Sequence, residues 1–162
     1  MGAEIHIDLR GWTKLESEID GMAKRVADLS PALDPAASGL DSVLLDSFRT
    51  SSSPFGAPWE PLSDTTVARR RRGSSKPLVD TGQLRSATHA RREGKRSIVF
   101  GTSGAPATYA PTHQFGRGKI PARPFLPIVN DKVSVDGGRV GAWWARTRDA
   151  IVNYVLRGKV GV

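Results

Sequence analysis

Residues 109–128 read YAPTHQFGRGKIPARPFLPI, and no other stretch narrows the possible folds as much. Four prolines and two glycines interrupt any regular element there. Pro121 and Pro124 flank Ala122 and Arg123, and a proline disfavours the helical conformation of the residue before it. IPARPF therefore runs extended, with Phe125 and Leu126 docking it on a core. Three kinds of molecule use such a stretch: an enzyme with an active-site loop, a nucleic-acid binder, and a subunit of an assembly.

The rest of the chain sets the scaffold. Its 162 residues suit one domain, spanning 1–162. AEIHIDLR alternates Ile5, Ile7 and Leu9 with Glu4, His6 and Asp8, the period-2 pattern of a half-buried strand. The period then changes. Trp12, Leu15, Ile19, Met22, Val26 and Leu29 form one stripe of an amphipathic helix, read most simply as core. Gly21 weakens this helix by ~1 kcal/mol relative to Ala, and Pro31 is expected to end it. A second helix is expected to start with Asp34 as N-cap and Pro35 at the first position, burying Leu40, Val43, Leu44 and Phe48.

Residues 50–77 are rich in Ser, Pro, Gly and Arg, with too little apolar material for a core, and read as a long, flexible, basic central loop. Within it Ser63 caps a short helix through DTTVARRRR. Next, Asp80 or Thr81 caps a turn carrying Leu84, and a hairpin is expected over about 86–92 and 96–102 around EGK. The C-terminal segment places Val140, Trp143, Trp144, Ile151 and Val155 near one helical face, with Gly158 as a C-cap. Adjacent Trp143 and Trp144 diverge, one to the core and one to the surface. The sum is an α+β domain: a small, mostly antiparallel β-sheet packed with two N-terminal helices and a C-terminal helix, around a long central loop.

Charge is distributed unevenly. Residues 1–46 carry nine acidic and four basic side chains, whereas 47–162 carry seven acidic and twenty basic. That asymmetry suits a basic surface for nucleic acid, and equally a subunit whose acidic face meets a neighbour's basic face. A solvated surface with a basic loop accounts for it as well. Without cysteine there is no disulfide framework, thiolate nucleophile or thiolate zinc site. No secretory leader and no membrane span is expected, and the protein is expected to be made in a cytosol.

The enzyme class finds no constellation. His6, His89 and His113 lack the HExxH spacing, and His113 reads as hydrogen-bonded within its own loop. GRGK lacks the four-residue Walker spacing and is followed by Ile120 and Pro121 rather than Ser or Thr. No G-x-S-x-G elbow occurs. No catalytic residue, cofactor site or metal site is expected. The nucleic-acid class has more substance, since residues 69–96 are strongly basic, yet no aromatic stands beside the arginine run to stack on bases.

Read together, four boxes follow one another between about 48 and 126: WEPLS, LVDTGQL, YAPTHQFG and IPARPFL. That succession resembles the phage virion morphogenesis family, the tail-completion proteins of tailed bacteriophages. The resemblance covers about half of the chain, and four boxes in order are far more specific than any one alone. It implies a non-enzymatic virion protein at the head–tail neck or the top of the tail, in an oligomeric ring, commonly of six subunits. Implied partners are further copies, the neck or connector proteins, the tail tube protein and packaged DNA in the channel, with no membrane. On this reading Trp59, Tyr109, His113, Phe115, Arg123 and Phe125 are the expected assembly contacts. Tyr109 and Phe115 anchor a compact turn, His113 and Gln114 bond the backbone, and Arg123 presents its guanidinium to a carboxylate. Arg69, Arg70, Arg71 and Arg72 would reach an adjacent ring or the DNA. A stiff loop closing its own domain is the other way to use the stretch at 109–128.

Overall fold

In the computed structural model, residues 11–70 and 73–160 are described; the strand expected over 3–10, together with Arg71 and Arg72, lies outside them. The architecture is α+β and is organised around helix α2 (Ser30–Thr50). Along it Leu33, Ala36, Ala37, Leu40, Val43, Leu44 and Phe48 recur at three- and four-residue steps, and all are buried. This face packs against the hairpin of β1 (Thr88–Glu93) and β2 (Ser97–Thr102), and against α6 (Gly138–Arg157). Trp143 bridges α6 to α2 by donating its indole N–H to the Ala36 carbonyl at 2.8 Å. Gly39 makes room for it, since a Cβ there would lie 3.1 Å from Trp143 Cδ1. Trp144 points outward, as the divergence of adjacent helix positions requires.

The start of α2 differs from expectation. The helix begins at Ser30, with Pro31 in the first turn and Pro35 inside it, so Asp34 is not its N-cap. Pro31 opens this helix rather than closing α1 (Trp12–Ala27). In the first turn a missing N–H is harmless. Pro35 forfeits one helical hydrogen bond, which burial of Ala32, Leu33, Ala36 and Ala37 around it offsets. The N-cap position is Leu29, and Asp28 before it accepts the Ser30 N–H on Oδ1 at 3.0 Å. Hydrogen bonds from Ser30, with help from Lys95, hold its carboxyl down to about 2.

A second correction concerns the stripe on α1. It is not core within this subunit. No residue of α1 is buried, and Trp12, Leu15, Ile19 and Val26 are exposed, Trp12 by 57% and Ile19 by 54%. Among the described residues its C-terminal end is tied down, by Arg25 Nε donating to the Val155 carbonyl at 2.7 Å. Periodicity shows that a helix has an apolar face; it does not say what covers that face.

The hairpin forms as expected, antiparallel from Thr88↔Thr102 to Glu93↔Ser97. A smaller hairpin, β3 (Ile128–Val129) with β4 (Lys132–Val133), turns through Asn130 and Asp131, both at positive φ. Two residues of that conformation match the right-handed twist of short hairpins. Helix α6 starts at Gly138, where φ is +57° and an added Cβ would meet the Phe55 carbonyl at 2.4 Å. It ends, as expected, on Gly158 in the left-handed conformation.

Much of the central loop is stitched to the body. Trp59 N donates to Ser51 O at 2.8 Å, and the Arg139 guanidinium donates to Ser53 O at 2.8 Å and Ser52 Oγ at 3.1 Å. Ser63 Oγ accepts the Thr66 N–H at 3.4 Å and caps α3 (Asp64–Arg69). The core has two clusters. One gathers Leu40, Val43, Leu44, Val140 and Trp143. The other gathers Phe48, Trp59, Leu84, Ala110 and Phe125, and Leu126 packs against both.

Candidate functional site

The second cluster brings the four boxes together. Trp59 comes from the first, Leu84 on α4 (Gln83–Ser86) from the second, Ala110 from the third and Phe125 from the fourth, all gathered on Phe48 of α2. Phe48 meets the Trp59 ring edge-on at 5.8 Å and the Phe125 ring at 5.3 Å. Trp59 also donates its indole N–H to the Pro124 carbonyl at 2.7 Å, so the first and fourth boxes are bonded as well as packed.

Gln114 fastens the third box to the fourth. It lies on α5 (Ala110–Phe115), buried, with Oε1 accepting the N–H groups of Phe125 and Leu126, both at 3.0 Å. Its Nε2 donates to the Leu126 carbonyl at 3.1 Å. One amide thus satisfies three backbone groups of an extended strand that has no sheet partner at that point. Gly116 then allows the exit turn, at φ +77° and with no room for a Cβ, which would lie 2.9 Å from Ala122 N.

Arg123 is buried, and its guanidinium stays within the chain. Nε donates to the Glu60 carbonyl at 2.8 Å and Nη2 to the Pro61 carbonyl at 3.0 Å. The rigid fork of arginine suits two consecutive carbonyls, and burial lowers its pKa from the ordinary value. The extended stretch therefore closes its own domain through Arg123, and Phe125 and Trp59 sit in the core beneath it.

Above these anchors lies a cleft of about 520 Å³, lined by residues of all four boxes. Glu60, Ser63, Asp80 and Thr81 mark one part of it, and Arg70, Lys119, Tyr109 and His113 another. Tyr109 and Phe115, expected as anchors of the turn, are instead exposed, Phe115 by 49%. Ala110 and Gln114 hold the turn in their place. His113 stacks edge-on to Tyr109 at 5.9 Å, and its backbone carbonyl accepts the Arg123 N–H at 2.7 Å. Its side chain does not bond the backbone as expected: Nδ1 is buried with no hydrogen-bond partner among the described residues. Burial, then the charges of Arg123 and Arg70, push the imidazole pKa below 6.5.

Chemically the cleft is a mixed-charge recess with a stiff floor. Ser63 Oγ is engaged with the α3 N-terminus. Among the described residues no three His, Asp or Glu side chains gather where they could hold a metal ion. Of the arginine run, Arg69 is exposed at the end of α3. Arg70 folds back, with Nη1 donating to the carbonyls of Lys76 at 2.5 Å and Val79 at 3.3 Å. Further along the basic region Arg92 pairs with Asp34 at 2.5 Å and Lys95 with Asp28 at 3.2 Å. Sequence reasoning passed over Arg139 and the bonding role of the 60–61 carbonyls. Neither carries a local signal, because each depends on a partner more than sixty residues away.

A model of the phage virion morphogenesis family matches residues 11–140 and so takes in all four boxes. No curated protein and no solved structure matches the chain.

Proposed function

The chain belongs to the phage virion morphogenesis family, and from that premise we propose a non-enzymatic structural subunit that completes the tail end of a tailed bacteriophage. In this reading it joins tail to head as a ring of copies, six in number as the resemblance implies, at the neck or the top of the tail. One observation carries it: the residues of the four boxes build a braced cleft rather than a reactive centre. Trp59, Arg123 and Phe125 serve the interface from within by holding the cleft's shape. Tyr109, His113 and Phe115 meet the neighbour, a further copy or a neck or tail tube protein. Arg69, with Arg71 and Arg72, faces an adjacent ring or the packaged DNA. No helix among the described residues is long and apolar enough to cross a membrane. The subunit is made in the host bacterial cytoplasm and ends in the virion.

Electron microscopy of a lysate in which this gene alone is disabled tests the reading. DNA-filled heads beside detached tails are expected, and tails of uncontrolled length would mark a terminator. Intact virions in normal numbers would overturn it. The competing reading, a nucleic-acid binder using residues 69–96, is weakened by the internal partners of Arg70, Arg92 and Lys95.

A further inference from the structure

Two unfilled apolar surfaces stand apart from the cleft. The first is the stripe on α1. Residues 11–20 are exposed throughout, although Trp12, Leu15 and Ile19 share one face. So short a helical segment, with no described residue burying its apolar face, is marginal in water. The second is a groove of about 440 Å³ between α2 and α6, lined by Ala32, Ala36, Gly39, Trp143, Thr147 and Ala150. Small residues on its α2 side let another helix approach closely, and no residue of α1 lines it.

The net charges of the first half of α1 and of α6 are opposite in sign. Glu16 and Glu18 flank the α1 stripe on either side at helical spacing, Asp20 follows, and Lys14 is the one basic residue in that half. Helix α6 carries Arg139, Arg146, Arg148 and Arg157 against Asp149 alone, and Arg146 and Asp149 both line the groove. We propose that α1 is a docking arm whose apolar stripe seats in the α2–α6 groove of a second copy of this chain. The inference rests on the reading of the protein as an assembling subunit and names the surfaces that assemble. Arm and groove are unlike surfaces, so the contact is head-to-tail, and it closes into a ring when the rotation between copies closes. Complementary charge steers the encounter and sets the register, while burial of Trp12, Leu15 and Ile19 supplies the affinity.

The chain has no cysteine, which permits a direct test. One copy carries Ile19→Cys and another Ala150→Cys, both supplied during infection by phage lacking the native gene; purified particles are then oxidised. The expected product is a mixed disulfide between the two alleles, with no dimer from either allele alone. Cross-links only between Ile19→Cys copies would place arm on arm and overturn the inference. Particles that assemble with no cross-link would overturn it too, leaving the virion role standing. Normal virions without the gene would instead overturn the proposed function. The mixed disulfide, sought then in the purified full chain, still decides this inference, its absence being fatal. As a second readout, Arg146→Glu is expected to weaken self-association of the full chain on the order of tenfold, with recovery when Glu18→Arg is added. Failure of the paired reversal to restore association would count against the register proposed.

Discussion

Arg123 shows how a residue suited to a surface can end as an internal brace. Its two bonds to the Glu60 and Pro61 carbonyls are charge-assisted and buried. Arg123→Met should therefore destabilise the fold by about 3 kcal/mol, the range for losing charged hydrogen bonds and stranding their partners. Arg123→Lys should recover less than half of this in chemical denaturation, since an ammonium cannot span both carbonyls as the fork does. His113 makes a pH prediction. Its folded pKa lies below 6.5, so the unfolded chain binds the proton more readily. Its contribution is thus fully present above about pH 6.5, is lost as pH falls toward the folded pKa, and changes no further below it. Denaturation midpoints measured between neutral and mildly acid pH should fall for the native chain and flatten in His113→Gln.

Among elements, the first two long helices behave oppositely under mutation. On α2, Phe48→Ala removes the ring that Trp59 and Phe125 share and should destabilise by about 3–5 kcal/mol. On α1, Ile19→Asp should shift monomer stability by less than about 0.5 kcal/mol, because the side chain already faces solvent. A loss of several kcal/mol for Ile19→Asp in the isolated subunit would show that the stripe is internal after all. At the head of α6, Gly138→Ala combines a left-handed backbone with a Cβ driven against the Phe55 carbonyl. It should move the midpoint more than Gly158→Ala, which has the backbone penalty alone and only side-chain neighbours at 3.8 Å.

For the molecule as a whole, a structural subunit and a nucleic-acid binder part company over salt. Each phosphate neutralised contributes about −0.9 to the slope of log affinity against log salt on duplex DNA. A subunit that holds Arg70, Arg92, Lys95 and Arg123 on its own carbonyls and carboxylates should bind free duplex weakly, with a slope shallower than about −3. A steeper slope, abolished by replacing Arg69, Arg70, Arg71 and Arg72 with Ala, would favour the nucleic-acid reading. The acidic first half of α1 and the basic α6 carry net charges of opposite sign, so self-association should weaken as salt rises.

The sequence by itself determined most of the helices, the larger hairpin and the extended fourth box, but not where α2 begins or the β3–β4 hairpin. Those choices are local: period 3.6 on α2, the EGK turn, Ser63 as a cap, Gly158 as a C-cap, and the prolines that keep IPARPF out of a helix. It also determined the ordered boxes that place the chain in its family. Only the tertiary structure decided which apolar faces are inside. The stripes on α1 and α2 look alike in one dimension, yet α2 is covered by the hairpin and α6 while α1 is left bare. Likewise Tyr109 and Phe115 face outward while Gln114 is buried, because the extended fourth box has backbone groups that only a polar side chain can satisfy. Burial and hydrogen-bond satisfaction depend on what arrives from distant parts of the chain, and local pattern does not contain that information.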